Sequence, residues 1–598
     1  MGRGLGPVPW GVVFPRTIKR LVPMGGAGDD WAAGGRFATL LADTSVREIV
    51  FDGGATYSAQ TVLDICALRG SAPLRLTGNG SAIVSTIAAT VPGAPTNSVF
   101  RAFNAPAAGT TLAVDTVAGS RTIHTVADVT PGTVILVGSF QRTVLSSTHG
   151  ADYALYLDDP MYRVLPAGTA VVPSVVVTDL AIDDFVISGS GDRAAEIIGL
   201  RCQVSRIRVP DGATFGGPVC SFDIPSRDCI FEDMDIVAPD NTIGLFLEHN
   251  TRGRILRSKV RGGFRIDSGE YCEVRDCHSV GAGVGYLAAT VAGIQVYSET
   301  ALARNASIGC KIVGSTFNGG LYSGILLVAA TDTTIESCEC NDNTQYGCYA
   351  QGGTAKALNL TARRNANGGV RLSISAVAGM INSTTVLTNV VTANNATFGT
   401  GVDANCTASI SNLQSTDDAG FGLSTNGTTQ ISGFVLNTTI NSTAYAGLLV
   451  SAGVCVARGL DFTVVNDSRG IIADGTARLR VSDYRINGNW YPIVVPGVGS
   501  LPHVWLGPGM NFTGAALACF DQPGGSYSRG EVTLVAGTKD LLFRGATAYS
   551  RARITRKTPG GTLGHLSYVP AAGKITVNSS EAADTSVVVV EVVDNDSA

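Results

Sequence analysis

From about residue 240 to 475 one short pattern keeps returning: a glycine, then apolar, any, apolar, any. It reads G-L-F-L-E from Gly244, G-F-R-I-D from Gly263, G-I-Q-V-Y from Gly293 and G-I-L-L-V from Gly324. It continues from Gly347, Gly369, Gly401, Gly422 and Gly447 to G-I-I-A-D at Gly470, a mean interval of roughly 25 residues. Alternation with period two is the mark of a strand with one face buried. A second strand follows most copies, often led by cysteine, as at Cys202, Cys229, Cys272 and Cys310. Asn, Asp, Ser and Gly fill the gaps, as turns require. Long amphipathic helical patterns are absent from this stretch.

Short strands repeating at this period without helices predict a right-handed parallel β-helix, in which each coil stacks on the next. Residues 178–490 would give roughly 12 coils at ~4.8 Å each. Composition agrees. The 598 residues include 73 Gly, and only 15% are charged, against roughly 25% in an ordinary domain. Glycine is expected to supply the turn entry of each coil. Mean hydropathy is +0.22, yet no apolar run approaches the ~20 residues of a membrane helix. A net charge of -5 without basic blocks excludes nucleic acid as the main partner. The opening residues carry no apolar core of a secretion signal. The 13 cysteines show neither C-x-x-C pairs nor zinc spacing, and read as buried thiols in a narrow interior.

The flanks divide the rest of the chain. Residues 1–25 are rich in Pro and Gly. Residues 26–106 hold Gly28-Asp29-Asp30, a short helical stretch through Phe37 and Leu41, and R-E-I-V-F-D-G-G-A-T-Y ending at Tyr57. Residues 107–177 break the repeat and read as an inserted antiparallel β-subdomain. Residues 491–529 read as a connector, and 530–598, with strands such as S-V-V-V-V-E-V-V, as a β-sandwich.

The G-D-D turn, capping helix and V-F-x-x-G-x-x-Y opening resemble pectate-lyase-like proteins. With the early insertion and the S-S-E-A-A-D-T-S-V-V-V segment ending at Val589, the whole chain resembles bacteriophage tailspikes. That resemblance implies a homotrimer on the virion, made in the host cytoplasm and attached to baseplate or tail proteins through residues 1–25. It implies a host surface polysaccharide as ligand (capsule, exopolysaccharide or lipopolysaccharide), and no cofactor. The catalytic pattern of polygalacturonases is not present as a set. Outward apolar residues in later coils (Leu326, Val328, Leu449 and Ile472) fit a face buried in a trimer.

In the Gly-led strand the fifth residue points outward, so Glu248, Asp267 and Tyr297 form one column and Phe246 and Arg265 its neighbour. Glu248 and Asp267 are then expected on adjacent coils with backbones ~5 Å apart. Two carboxyls at that separation suit glycosidic-bond cleavage, one protonating the leaving oxygen and the other activating water or attacking the sugar. Glu248, Asp267 and Glu299 are the candidate catalytic residues. Arg265, His249, Glu270, Tyr297 and Phe246 are candidates for holding the sugar. The same residues read equally as a solvated face in which Arg265 pairs with Asp267 or Glu248. A second acidic group, Glu232, Asp233 and Asp235 with Glu273, Asp276 and His278, keeps a calcium-dependent lyase open. A non-enzymatic receptor-binding tail protein on the same scaffold is the alternative of another class.

Overall fold

The computed structural model describes residues 17–24, 28–90, 96–103, 105–216, 218–239, 243–281, 292–297, 306–320, 322–375, 382–440, 445–465, 469–487, 493–494, 503–506, 511–513, 520–521, 529–542, 550–571 and 574–594. The chain forms two compact units, residues 1–288 and 289–598.

In the first unit parallel ladders build a solenoid with three faces. One face runs Ser98–Ala102, Arg193–Ile197, Cys220–Phe222, Ile243–Glu248 and Gly263–Asp267. A second joins Leu180–Gly191, Gln203–Ser205, Ile230–Glu232, Arg254–Leu256 and Glu273–Arg275. A third carries Arg208–Val209, Asp235–Val237, Lys259–Arg261 and His278–Val280. Every second side chain points inward: Leu245, Leu247, Phe264, Ile266, Val204, Phe231, Ile255 and Val274 are all essentially inaccessible. The helix Arg36–Ala42 covers one end, burying Phe37 and Leu41. Trp31 packs 4.7 Å from Phe37, and its indole N–H donates to the carbonyl of Val99 at 3.1 Å.

Strands from Ala105–Pro106 to Ala170–Val175 form the antiparallel insertion. Its own core includes Ile123, Ile135, Val144, Leu155 and Leu157. One buried carboxylate fastens it to the solenoid: Glu270 accepts from Arg142 Nη2 at 2.9 Å, Arg163 Nε at 3.0 Å and Thr251 Oγ1 at 3.0 Å.

The second unit has the same kind of architecture. Ile294–Tyr297, Ile325–Glu336, Tyr346–Leu358, Gly368–Ser373, Phe398–Val402, Phe421–Thr425, Ala446–Val450 and Arg469–Ala473 pair in parallel. Parallel pairing persists past residue 490, through His503–Leu506, Asn511–Thr513 and Phe520–Asp521, where the sequence suggests a connector. Strands of two to four residues among Pro and Gly are too short to show alternation. Two three-stranded antiparallel sheets then close over Val532, Leu534, Ile575, Val577, Val588 and Val590, forming the C-terminal sandwich.

Glycine works differently from the sequence expectation. Most repeat glycines lie within strands, not at turns, whereas Gly293 and Gly324 stand immediately before theirs. A Cβ on Gly347 would sit 2.7 Å from the Gly369 carbonyl, and one on Gly369 2.5 Å from that of Gly399. The stack passes through Gly399, which meets Gly422, and not through Gly401. Corners are made by Asp, Arg and Asn with positive φ, such as Asp228, Arg252, Asp342, Arg364, Asn359 and Asn389, and by glycines outside the repeat, such as Gly309, Gly433 and Gly459. Neighbouring coils tie these together: Arg252 Nε donates to Asp228 at 2.7 Å, Arg364 Nε to Asp342 at 2.7 Å, and Asn389 Nδ2 to Asn359 at 2.9 Å. The polar corner residues tolerate the left-handed region better than β-branched ones, and stacking supplies each with a partner.

Two further points concern side chains. The twelve described cysteines are free and buried, and burial pushes the Cys220 thiol up to about 12, which makes it inert. Leu326 and Ile472, expected on an outer face, are only 3% and 6% exposed. They pack against Tyr346 and Tyr349, and against Phe421 and Leu449, within the same unit. These two residues therefore need no neighbouring chain to cover them.

Candidate functional site

The first-unit ladder has the expected register: Glu248 lies beside Asp267 and Phe246 beside Arg265. Both carboxyls stand at the end of a strand, because the following residues, His249 and Ser268, turn the chain with φ of 45° and 49°. Asp267 is buried at 2% exposure and accepts from Arg265 Nη2 at 2.5 Å. The Arg265 guanidinium lies 5.4 Å from the Phe246 ring centroid, a cation–π distance. Arg265 is thus paired to Asp267 two residues on in its own strand.

The remaining candidates scatter. His249 is buried against Phe140 of the insertion, ring centroids 5.8 Å apart. Glu270 is buried between Arg142 and Arg163. Burial pushes its carboxyl up, but the two guanidinium groups outweigh that and hold it below the usual range. Both residues anchor the insertion. Tyr297 ends the strand Ile294–Tyr297 in the second unit. Glu299 lies outside the described residues.

The same face carries a group that the repeat pattern missed. Glu196 occupies the outward row that runs Arg101, Glu196, Ser221, Phe246, Arg265. It is only 2% exposed, and the hydroxyls of Thr96 and of Ser98, the first residue of the neighbouring strand, donate to it, Ser98 at 2.8 Å. Asp192 accepts the Asn97 N–H at 2.6 Å and the Thr90 hydroxyl at 2.7 Å. Arg193 Nη1 reaches Glu196 at 2.7 Å and Ser221 Oγ at 2.6 Å, and also pairs with Asp223.

These charges do not balance. Arg193 is a single cation facing Glu196, Asp223 and, at longer range, Glu248; burial lowers its pKa, but the three carboxylates outweigh that and raise it. Glu196 moves the other way: burial first, then the hydrogen bond and negative charge of Asp223, push it up to about 7, against the pull of Arg193 and Thr96. Asp223 Oδ1 is buried and finds no N–H or O–H donor. A proton held between Glu196 and Asp223 supplies that donor, as two close carboxylates demand. The site therefore pairs a carboxylic acid that is half protonated near neutrality with other carboxylates on the next coils, around one fixed cation.

The second acidic group is an ion-pair ladder on other faces. Arg257 Nε donates to Asp233 at 2.9 Å and pairs with Glu232, which also accepts from Gln203 at 2.8 Å. Arg275 pairs with Glu273. Among the described residues no group of three or more His, Cys, Asp or Glu is disposed to hold a metal ion.

Residues 525–593 match the family model of the K1 capsule-specific polysaccharide lyase C-terminal domain. No curated protein matches the chain at a significant level. Among solved structures, tailspike gp61 of Pseudomonas phage phi297 is similar over 93% of this chain and 91% of its own, at 12% identity and a TM-score of 0.44. Tailspike gp49 from Pseudomonas phage LKA1 is similar over 94% and 92%, at 12% identity and 0.42. The periplasmic alginate epimerase AlgG is similar over 56% of this chain and 77% of its own, at 10% identity and 0.32.

Proposed function

We propose that this protein is a phage tailspike that binds a host surface polysaccharide and depolymerises it by hydrolysing glycosidic bonds. The observation that carries the chemistry is the set of carboxyls Glu196, Asp223 and Glu248 gathered on consecutive coils around Arg193. Glu196, protonated in part near pH 7, gives its proton to the leaving glycosidic oxygen as the C–O bond breaks. Glu248, whose register neighbour is Asp267, activates water or takes the sugar covalently; water's hydroxyl ends on the anomeric carbon and its one released proton on Glu248 in the first case, or on Glu196, restoring the acid, in the second. Arg193 keeps the acid and its partners in place, and Arg265 with Phe246 offers a charged edge and a ring face to the sugar. His249 and Glu270 serve this reading by holding the corner under the insertion.

The matched C-terminal domain supports a polysaccharide as substrate, by analogy with a capsule-specific enzyme. It also favours a second reading, β-elimination by a lyase, although the matched residues 525–593 include none of the carboxyls named above. The homotrimer, the virion location and attachment through residues 1–25 belong to the same proposal and rest on the tailspike resemblance of the sequence. Incubation with isolated bacterial surface polysaccharide separates the readings. Hydrolysis gives new reducing ends without absorbance from an unsaturated uronate, whereas a lyase gives both. Glu196→Gln and Glu248→Gln should each lower product formation by about 10²–10⁴, and undiminished activity in either refutes its assignment.

A further inference from the structure

On the outer face of the second unit, aromatic rings occupy positions that neighbouring faces give to Thr, Ser and Gln, as at Thr384, Ser409 and Gln430. Along one register row stand Tyr346, Gly368, Phe398 and Phe421. Phe398 is paved onto glycine: a Cβ on Gly368 would lie 2.6 Å from its ring and one on Gly401 2.8 Å. Its ring runs nearly parallel to that of Tyr346, 28° between planes with centroids 6.0 Å apart. The ring is half-buried, with its inner side against the sheet. Gly401 thus gains a role, clearing space for a flat ring.

Polar groups border this platform. Arg371 lies 5.3 Å from the Tyr346 ring centroid and donates to its hydroxyl. Its Nε and Nη2 both reach Asp403 Oδ2, at 3.1 Å and 2.9 Å. Each member of that pair keeps 32% of its side chain exposed. A ring face adjoining a donor and an acceptor that remain wet matches a pyranose, whose C–H face is apolar and whose rim is hydroxyl. Because Asp403 neutralises Arg371, the site has no unbalanced cation for a sugar acid.

We infer that Phe398 and Phe421, with the buried Tyr346 packed against Phe398 and the Arg371–Asp403 pair at the rim, form a glycan-binding track that takes uncharged hexose units along the coil direction. Four strands at ~4.8 Å each give it a length of about 14 Å, enough for a short oligosaccharide. The inference rests on reading the chain as a glycan-binding protein, but the track needs no catalysis. A second copy of the chain is a poorer occupant, because covering this face with protein would desolvate an ion pair now in contact with water.

The test uses the full chain carrying Glu196→Gln, so that turnover does not consume the ligand, on an array of neutral hexose oligomers and bacterial surface polysaccharides. Binding to at least one neutral glycan is expected. Phe398→Leu, which keeps apolar bulk but loses the flat ring, should weaken it about tenfold, and Asp403→Asn should weaken it too, with assembly state unchanged by light scattering. The inference is overturned if the parent binds no neutral glycan, if both variants bind as the parent does, or if Phe398→Leu changes the assembly state. Failure of the hydrolase reading looks different: the unmutated chain yields no reducing ends while array binding and its loss in Phe398→Leu persist.

Discussion

Glu196 couples activity to stability with a sign that can be measured. Its carboxyl is raised from an ordinary 4.5 to about 7, so the folded state holds more protons than the unfolded chain between those values. Stability from this group is therefore complete below pH 4.5, falls as pH rises, and is fully lost above about 7. A shift of this size corresponds to about 3 kcal/mol. Glu196→Gln keeps the shape, cannot ionise, and removes the cost. The variant should match the parent near pH 4 and be the more stable by up to about 3 kcal/mol at pH 8, read as a difference in urea unfolding midpoint between the two pH values. Its turnover should fall by about 10²–10⁴.

The neighbours move the same group in opposite directions. Asp223 raises Glu196, whereas Arg193 lowers it. In pH–rate profiles of reducing-end release, Asp223→Asn should shift the alkaline limb to lower pH, and Arg193→Met to higher pH. A buried residue that merely supports the fold would scale the whole profile down without moving the limb. The acid assignment fails if both limbs stay in place, or if Glu196→Gln shows the parent's pH dependence of stability.

Other perturbations test the scaffold. Glu270→Gln leaves Arg142 and Arg163 buried without their counter-charge; a cost of about 3–5 kcal/mol is expected, seen as early proteolysis within residues 105–175. Gly369→Ala forces a Cβ to 2.5 Å from the Gly399 carbonyl and should destabilise the second unit by about 1–3 kcal/mol, read by thermal unfolding. Asn365→Ala breaks a buried ladder in which Asn343 donates to Asn365 and Asn365 to Asn395, each at 2.9 Å. With a donor and an acceptor orphaned, a loss of about 1–3 kcal/mol per group follows; an unchanged melting temperature would show that water replaces the ladder.

How much of this was legible depended on period. Glycines inside or just before strands, followed by alternating apolar residues, advertised the coils from Gly244 onward, and one step of that register placed Glu248 beside Asp267. Glu196 escaped because its strand, Arg193–Ile197, has no leading repeat glycine and sets the acid among apolar residues. Its partner Asp223 follows C-S-F, which reads as a strand end. The steps from Glu196 to Ser221 and from Ser221 to Phe246 are both 25 residues, so the repeat interval itself leads back to Glu196, and the missing glycine is what hid it. The burial of Glu270 by the insertion was hidden for another reason: Arg142 and Arg163 lie more than 100 residues upstream, beyond any local pattern.

The scarcity of charge takes on a different meaning once the charges are located. In the first unit most described ions are spent in pairs between neighbouring coils, such as Arg201 with Asp179, Arg257 with Asp233 and Arg252 with Asp228. Such pairs set corners and register, and at exposed positions contribute little energy. What distinguishes Arg193 is a deficit: one guanidinium meets more carboxylate than it can neutralise, in a place with too little water to screen the remainder. Burial and the neighbouring Asp223 accordingly raise Glu196, whose carboxyl Thr96 and Ser98 hold in place. A structural ladder would have added a second arginine, as Glu270 has. Glu270 and Glu196 are both nearly inaccessible, yet one is held ionised by two cations and the other is left to titrate near neutrality, and only the second can deliver a proton to a substrate.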